Sequence, residues 1–326
     1  MESIICISHS QDVDGLGSAA LIKMVKKNAR IILADYGNYL DEIAALDKID
    51  ELILCDLGFN SRMEKNLLKE FTRINKFGKI SYIDHHPLSD QVKQKLTDIG
   101  VNMIHSTEVC TSMLAFQYYR KKLPRKAGLI AAYGAVTDYL DNDVVSRKLI
   151  DGFDRQFVLF ESTLLSHAIS ESRGKSVILD TIVDGLSNLQ FPQEIEELNN
   201  LANDQVDKLG LLITTLNNIG TKRKYFAYGE ADGISAGNLA NLLMGEFNTP
   251  VALGYKSKKL EDVYDISLRG SDIHANLDLG QIVGQIATKL GGFGGGHPKA
   301  SGARIPMNKF DEFLNLLDDH LSGQLI

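Results

Sequence analysis

The segment "KISYIDHHPLSD", residues 79–90, places three adjacent ionisable residues at the end of an apolar run. The run before Asp84, His85 and His86 contains β-branched and aromatic residues, which is typical of a buried strand. Burial of such polar groups without a partner costs several kcal/mol. The segment therefore predicts a functional site at the end of this strand.

Further ionisable residues follow other apolar segments of the first half, namely His9, Asp12, Asp14, Asp56 and Asp138. Taken singly, each has an ordinary explanation, such as a surface histidine, a turn or a helix cap. Together with His85 they form a set of imidazole and carboxylate groups, which favours Mn²⁺ and related divalent ions over Ca²⁺. Six ligands exceed the need of one catalytic ion. They suit two ions that share a bridging carboxylate, an arrangement that activates water and clamps a phosphate.

The elements that must position these residues alternate between apolar strands and helices. Strand candidates are "SIICISH", "ARIILADYG", "IDELILCDLG" and "GKISYIDHH", and the first is followed by the helical "GLGSAALIKMVKKNA". Continuous apolar strands separated by helices predict an α/β fold with a parallel sheet covered on both faces. In such sheets ligands bind beyond the carboxyl ends of the strands, where most of the candidate residues fall.

The second half predicts a smaller, mixed α/β domain that is linked to the first by a helix. We expect the first domain over residues 1–190, the helical linker over 191–223 and the second domain over 224–326. In the second domain "SAGNLANLLMGEF" is a predicted helix with Ser235 as its N-cap. "PVALGYKS" and "VYDISLRG" form a predicted hairpin.

A glycine-rich segment, "GGFGGGH" at 291–297, follows a predicted helix and precedes a predicted strand. One explanation is a helix C-cap followed by a flexible turn. Five glycines in six residues exceed that need, and the lack of Cβ atoms lets backbone N–H groups approach an anion. We therefore predict a phosphate-binding loop that contains Gly294, Gly295, Gly296 and His297.

Arg269 is the predicted cationic partner of this loop. It follows the predicted strand "YDISL", and its guanidinium could bind a phosphate through two hydrogen bonds or stack on a base. The alternative explanation is a surface ion pair with Asp262 or Asp272.

Composition bounds the class of protein. The chain has 326 residues, of which 44% are apolar, and its formal net charge is −7. This charge argues against a protein that coats long nucleic acid, where binding rests on many phosphate contacts. We expect no membrane span, because no apolar run approaches the roughly 20 residues that one requires. Three widely spaced cysteines favour a reducing cytoplasm.

Six motifs carry a resemblance to a known family. "SHSQDVDGLGS", "LILCDLG", "YIDHHP" and "GAVTD" resemble, in order, the four motifs of the DHH superfamily of phosphoesterases. "SLRGSD" and "GGFGGGHPKASGA" resemble the DHH-associated C-terminal domain, in the type found in its short-oligonucleotide and RecJ-like branches. The resemblance covers nearly the whole chain. It implies a DHH domain with two divalent ions, expected to be Mn²⁺, a substrate-binding C-terminal domain and a homodimer.

The resemblance also implies a role for each candidate residue. One ion would be held by His9, Asp12 and Asp56. The other would be held by Asp14, Asp56, His85 and Asp138, so that Asp56 is the bridge. Asp84 would orient a histidine, as metal-bound imidazoles usually require, and His86 would face the scissile phosphate. The C-terminal domain would bind substrate through Arg269, Gly294, Gly295, Gly296 and His297.

We expect a metal-dependent phosphodiesterase that degrades short single-stranded RNA or DNA oligonucleotides and linear dinucleotides to mononucleotides. Three alternatives stay open: a phosphatase of 3′-phosphoadenosine 5′-phosphate, a RecJ-like single-strand exonuclease and a non-enzymatic scaffold with a degenerate site. The acidic charge and the absence of tryptophan count against the long-strand exonuclease. The presence of every motif aspartate counts against the scaffold.

Overall fold

The computed structural model describes residues 2–59, 63–271 and 277–323. The chain divides into two compact units, one up to Gln205 and one from Val206 onward. The division falls inside a helix that lies within the predicted linker, 191–223. The domain limits given above stay a prediction.

The first unit is built on a parallel sheet. Its strands are β1 Ile4–His9, β2 Arg30–Ala34, β3 Glu51–Cys55, β4 Lys79–Asp84 and β5 Asn102–His105. They lie in the order β2-β1-β3-β4-β5, and each neighbouring pair is parallel. The central strands are apolar on both faces, as a sheet covered on both sides requires. The predicted α/β fold is therefore confirmed.

Helices cover both faces of this sheet. Those of the first unit are α1 Val13–Val25, α2 Tyr39–Ala44, α3 Glu64–Ile74, α4 Asp90–Ile99, α5 Thr111–Tyr118, α6 Gly128–Thr137, α7 Val144–Ile150, α8 Arg155–Glu171 and α9 Ser176–Ser187, and α10 Leu198–Ile213 follows. Ile53 and Cys55 of β3 join one apolar core, whereas Leu52 and Leu54 join the core on the opposite face. Within the described residues, every helix is too short or too polar to cross a bilayer.

The second unit contains a mixed sheet with helices. After α11 Leu216–Ile219 come β6 Gly220–Lys222, β7 Phe226–Glu230, α12 Ala236–Glu246, β8 Val251–Lys258, β9 Val263–Gly270, α13 Leu279–Lys289, β10 Phe293–Gly296, β11 Ala300–Pro306 and α14 Phe310–Ser322. The sheet has the order β10-β11-β9-β8-β7-β6. Two local predictions are confirmed: Ser235 caps α12 by accepting from the Asn238 N–H, and β8 and β9 form an antiparallel pair.

The predicted glycine loop is wrong in part, because Phe293–Gly296 form the edge strand β10, antiparallel to β11. Glycine weakens strands, so composition alone indicates a loop. Here the glycines permit close packing: a Cβ on Gly294 would lie 2.8 Å from the Gly302 carbonyl oxygen, and one on Gly280 of α13 would lie 2.2 Å from the Gly296 carbonyl oxygen. Gly296 itself has a φ of 132°, which residues with side chains rarely adopt.

Candidate metal centre

The order of the strands brings the predicted residues to one edge of the sheet. His9 ends β1, Asp56 directly follows β3 and Asp84 ends β4. Because β3 lies between β1 and β4, Asp56 stands in the middle of the cluster. The Asp56 side chain is only 2% exposed, and that of Asp84 is fully buried.

Asp84 holds His86 in a fixed orientation. Its Oδ1 lies 2.9 Å from Nδ1 of His86, and its Oδ2 accepts from the His86 backbone N–H and from the Tyr82 hydroxyl. Burial lowers the pKa of His86, but the Asp84 carboxylate outweighs this and raises it above its ordinary value. Nε2 of the same ring lies 3.1 Å from the Tyr36 hydroxyl. The two contacts fix the ring, with Nδ1 toward Asp84 and Nε2 toward Tyr36.

Asp14 and Asp56 are joined through the N-terminus of α5. The backbone N–H groups of Thr111 and Ser112 donate to the two carboxylate oxygens of Asp14, at 2.6 and 2.8 Å. The Thr111 hydroxyl donates to Oδ1 of Asp56 at 3.1 Å. The helix dipole and these donors stabilise the buried carboxylate of Asp14. One residue of α5 thus positions two of the predicted ligands.

Helix α6 closes the cluster on another side. Asp138 caps its C-terminus, and its Oδ2 lies 3.5 Å from Nε2 of His85, which is itself 3.4 Å from Oδ1 of Asp56. The helix can approach because residue 134 is glycine: a Cβ there would lie 2.6 Å from Oδ1 of Asp14. Asp14, Asp56 and His85 offer ligand atoms within 4.8 Å of one another, as do Asp56, Asp84 and His86.

His9 and Asp12 lie on the β1 side of this cluster. Nε2 of His9 is 3.4 Å from Oδ2 of Asp12, whose other oxygen caps α1 by accepting from the Gly15 N–H. Nδ1 of His9 is buried and has no hydrogen-bond partner among the described residues. A buried ring nitrogen that lacks a hydrogen-bond partner and lies beside carboxylates is suited to be a metal ligand.

The charges of the cluster fit a bound cation. Burial raises the pKa of Asp56, and the carboxylates of Asp12 and Asp14 raise it further. Burial likewise raises the pKa of Asp138, again with the help of Asp14. Burial lowers the pKa of His85, but the carboxylates of Asp138 and Asp14 outweigh that effect and raise it. A divalent cation would relieve the repulsion among these carboxylates, and the oxygen and nitrogen donors suit Mn²⁺ or a related ion.

Two residues that position the site were missed in the sequence. Tyr36 follows β2, and its hydroxyl accepts from the Gly58 N–H while contacting His86. Thr111 begins α5, 55 residues from Asp56. A Cys-Thr-Ser start of a helix could have indicated a carboxylate-binding N-terminus, but the sequence does not identify which carboxylate.

We expect Thr111→Val to weaken metal binding while leaving the fold intact. The substitution keeps the side-chain volume and the backbone N–H that binds Asp14, and it removes only the donor to Asp56. Loss of such an outer partner typically costs about 10-fold to 100-fold in metal affinity. Titration calorimetry with Mn²⁺ measures this, and Thr111→Ser, which retains the hydroxyl, is the matched control. Equal Mn²⁺ affinity in both variants would contradict the assigned role of the hydroxyl.

The predicted substrate-binding residues of the second unit lie at one end of its sheet. Arg269 on β9 is in register with Ala300 on β11, and Ala300 accepts from the His297 N–H at 2.9 Å. The guanidinium lies against the first turn of α12, since a Cβ on Gly237 would be 2.4 Å from Nη2. Asp272, one alternative partner of Arg269, lies outside the described residues. Arginine, histidine and glycine backbone are thus brought together, although their role stays a prediction.

The fold and the cluster define a class: a two-unit α/β protein with a carboxylate and histidine centre at the carboxyl edge of a parallel sheet. Residues 3–137 match the model of the DHH family N-terminal domain, and residues 221–323 match that of the DHHA1 domain. The chain belongs to the DHH superfamily, whose members are phosphoesterases and nucleases. No curated protein sequence matches the chain.

Solved structures share this fold at low sequence identity. A DHH domain described as a member of a family of ribosomal proteins superposes with a TM-score of 0.74 at 17% identity, covering 98% of this chain and 86% of that one. The pGpG-specific phosphodiesterase PggH of Vibrio cholerae superposes with a TM-score of 0.61 at 14% identity, covering 99% of this chain and 100% of that one. RecJ of Thermus thermophilus, in complex with Mn²⁺, superposes with a TM-score of 0.66 at 15% identity, covering 98% of this chain and 52% of the RecJ chain.

Proposed function

We propose that the protein is a metal-dependent phosphodiesterase that degrades short oligonucleotides and linear dinucleotides to mononucleotides. The observation that carries the proposal is the buried cluster centred on Asp56, which offers a ligand atom within 4.8 Å of those of Asp14 and His85 and also lies near the Asp12 carboxylate. Two divalent ions at such a site activate water and neutralise charge on a phosphate. The proposed ligands remain His9, Asp12, Asp14, Asp56, His85 and Asp138.

The other residues of the cluster act on the substrate and not on the ions. His86, which Asp84 and Tyr36 hold in place, is proposed to donate from Nε2 to a phosphate oxygen. Such a donor stabilises charge that develops in the transition state. Burial raises the pKa of Asp84, but His86 outweighs this effect and lowers it below its ordinary value, which favours a carboxylate that orients His86.

A short substrate is favoured over a long strand. The net charge of −7 disfavours binding of a long strand, which rests on many phosphate contacts. A fold match over the full length of a pGpG-specific phosphodiesterase supports a dinucleotide-sized substrate. The proposed substrate contacts in the second unit are Arg269, Gly294, Gly295, Gly296 and His297. The three cysteines are unpaired thiols, which agrees with the proposed cytoplasmic location.

The test is turnover of 5′-phosphorylated RNA of two, five and twenty-four nucleotides, with Mn²⁺ and with chelator. We expect turnover to require the metal and to fall steeply with length. Loss of activity in chelator should be reversed by Mn²⁺, which separates metal removal from damage to the fold. Circular dichroism before and after chelation provides the control.

The same experiment separates the alternatives. Equal or greater turnover of the longest strand would favour a RecJ-like exonuclease. Release of inorganic phosphate from 3′-phosphoadenosine 5′-phosphate, with no cleavage of any RNA, would favour the monoester phosphatase. If Mn²⁺ binds but no phosphate ester is cleaved, the proposal of a phosphodiesterase is wrong.

A further inference from the structure

Helix α6 ends in a Schellman motif with an unusual residue in its left-handed position. The Leu140 N–H donates to the Ala135 carbonyl oxygen at 2.9 Å, and the Tyr139 N–H donates to that of Val136. Tyr139 has a φ of 59°. This position is ordinarily glycine or asparagine, because a Cβ atom is disfavoured there. A bulky aromatic residue in this conformation is therefore an outlier.

The fold gains little from the Tyr139 side chain. It is 72% exposed, among the most exposed large hydrophobic residues of the described chain. Helix α9 offers a comparison, since Leu189 (φ 61°) takes the same position and Gln190 donates to the Gly185 carbonyl oxygen. Leu189, however, packs against the apolar core of the first unit. Packing therefore explains the strained Leu189, whereas the exposed Tyr139 has no comparable place in an apolar core of the described residues.

The position of Tyr139 indicates a use for its ring. It directly follows Asp138, whose carboxylate lies 3.5 Å from His85 in the candidate metal centre. Strained residues that the fold does not require cluster at functional sites. An exposed aromatic residue that directly follows a residue of the candidate metal centre is suited to stacking on a nucleobase, since every base presents a π-face.

We propose that a nucleobase of the substrate, next to the scissile phosphate, stacks on the ring of Tyr139. This inference rests on the proposed function and deepens it, because it assigns a residue that selects nucleotide esters over other phosphate esters. The contact needs the aromatic ring and not the hydroxyl group. Stacking also explains why a tyrosine occupies this left-handed position, where glycine would fit without strain.

The first experiment compares Tyr139→Gly and Tyr139→Phe on a dinucleotide and on two counterparts in which one or the other base is absent. Tyr139→Gly should lower kcat/KM for the complete dinucleotide by about 5-fold to 150-fold, the range expected for one stacked base. It should leave kcat/KM unchanged for the counterpart that lacks the stacked base. Tyr139→Phe should behave as the wild type on all three substrates.

Thermal unfolding is measured on the same proteins to exclude a structural role. Tyr139→Gly should unfold at the same or a higher temperature, because it relieves backbone strain without loss of packing. The matched control is Leu189→Gly, which removes a packed side chain from the same type of motif and should unfold at a lower temperature.

The second experiment observes the contact directly. The chain contains no tryptophan, so Tyr139→Trp introduces its single indole. Titration with a purine mononucleotide in Mn²⁺ should quench this fluorescence with saturation. Tyr118→Trp, which places an indole at a residue 52% exposed at the end of α5, should show no saturable quenching.

These outcomes separate the inference from the proposed function. If the wild type cleaves dinucleotides and Tyr139→Gly loses nothing on any substrate, stacking is wrong while the phosphodiesterase stands. If Tyr139→Phe is as defective as Tyr139→Gly, the hydroxyl acts and stacking is wrong. If the wild type cleaves nothing but Tyr139→Trp is quenched, stacking holds and the proposed function fails. Absence of both cleavage and quenching overturns both.

Discussion

Replacement of Asp56 by asparagine is expected to abolish turnover and at the same time to stabilise the metal-free protein. Asparagine keeps an Oδ1 that can accept from the Thr111 hydroxyl, and it tolerates the φ of 58° at this position. The change removes one buried negative charge that lies near the carboxylates of Asp12 and Asp14. Mutual repulsion therefore falls, whereas the proposed bridge between two ions is lost.

The expected loss in kcat/KM exceeds about 100-fold. Mutation of a residue that only hydrogen-bonds to a metal ligand already costs about 10-fold to 100-fold in activity, and Asp56 is proposed to bind the metal itself. Thermal unfolding in chelator and in Mn²⁺ is the second measurement. Mn²⁺ should raise the unfolding temperature of the wild type by mass action and leave that of Asp56→Asn unchanged. If Asp56→Asn retains full turnover, or gains the same stabilisation from Mn²⁺, Asp56 is not the bridging ligand.

The parallel sheet and the gathering of its candidate residues could be predicted from the sequence. Continuous apolar runs such as that before Asp56 fix the strands, and parallel strands present their carboxyl ends at one edge. The motif residues His9, Asp56 and Asp84 therefore had to lie near one another once the strand order was known. The order itself places β3 in the middle and Asp56 at the centre.

The residues that orient the ligands could not be predicted in the same way. Tyr36 and Thr111 act through contacts with His86 and Asp56, which lie 50 and 55 residues away in sequence. Such contacts depend on how helices pack on the sheet, which hydrophobic periodicity does not specify. A serine or threonine at the start of a helix is too common to identify its partner.

For the glycine segment, local composition gave the wrong prediction: it indicates a loop, whereas the structure shows a strand. Strand β10 is stabilised by pairing with β11 and by the close approach of α13, both of which are long-range effects. Glycine is required there for close packing, so its presence alone is weaker evidence for phosphate binding than the sequence suggests. Arg269 and His297 near the same end of the sheet keep the proposal of a substrate contact open to test.

The tandem histidines provide the sharpest division of roles, because neighbouring residues are expected to fail in different ways. His85 is 4% exposed and lies between Asp56 and Asp138, as a ligand would. His86 is held by Asp84 and Tyr36. We expect His85→Asn to lose affinity for Mn²⁺ and, with it, turnover. His86→Asn should bind Mn²⁺ as the wild type does and lose kcat by about 10²-fold to 10³-fold, the cost of removing one transition-state donor.

Asparagine at position 86 is chosen because its amide nitrogen can take the place of Nδ1 and keep the hydrogen bond to Asp84. His86→Gln provides the matched comparison, since its longer amide reaches toward the place of Nε2. If Nε2 is the group that contacts the phosphate, His86→Gln should retain more activity than His86→Asn at equal Mn²⁺ affinity. Calorimetry and steady-state kinetics on the three variants measure both quantities. A loss of Mn²⁺ affinity in His86→Asn equal to that in His85→Asn would instead make His86 a metal ligand, with Asp56 and Asp84 as its partners.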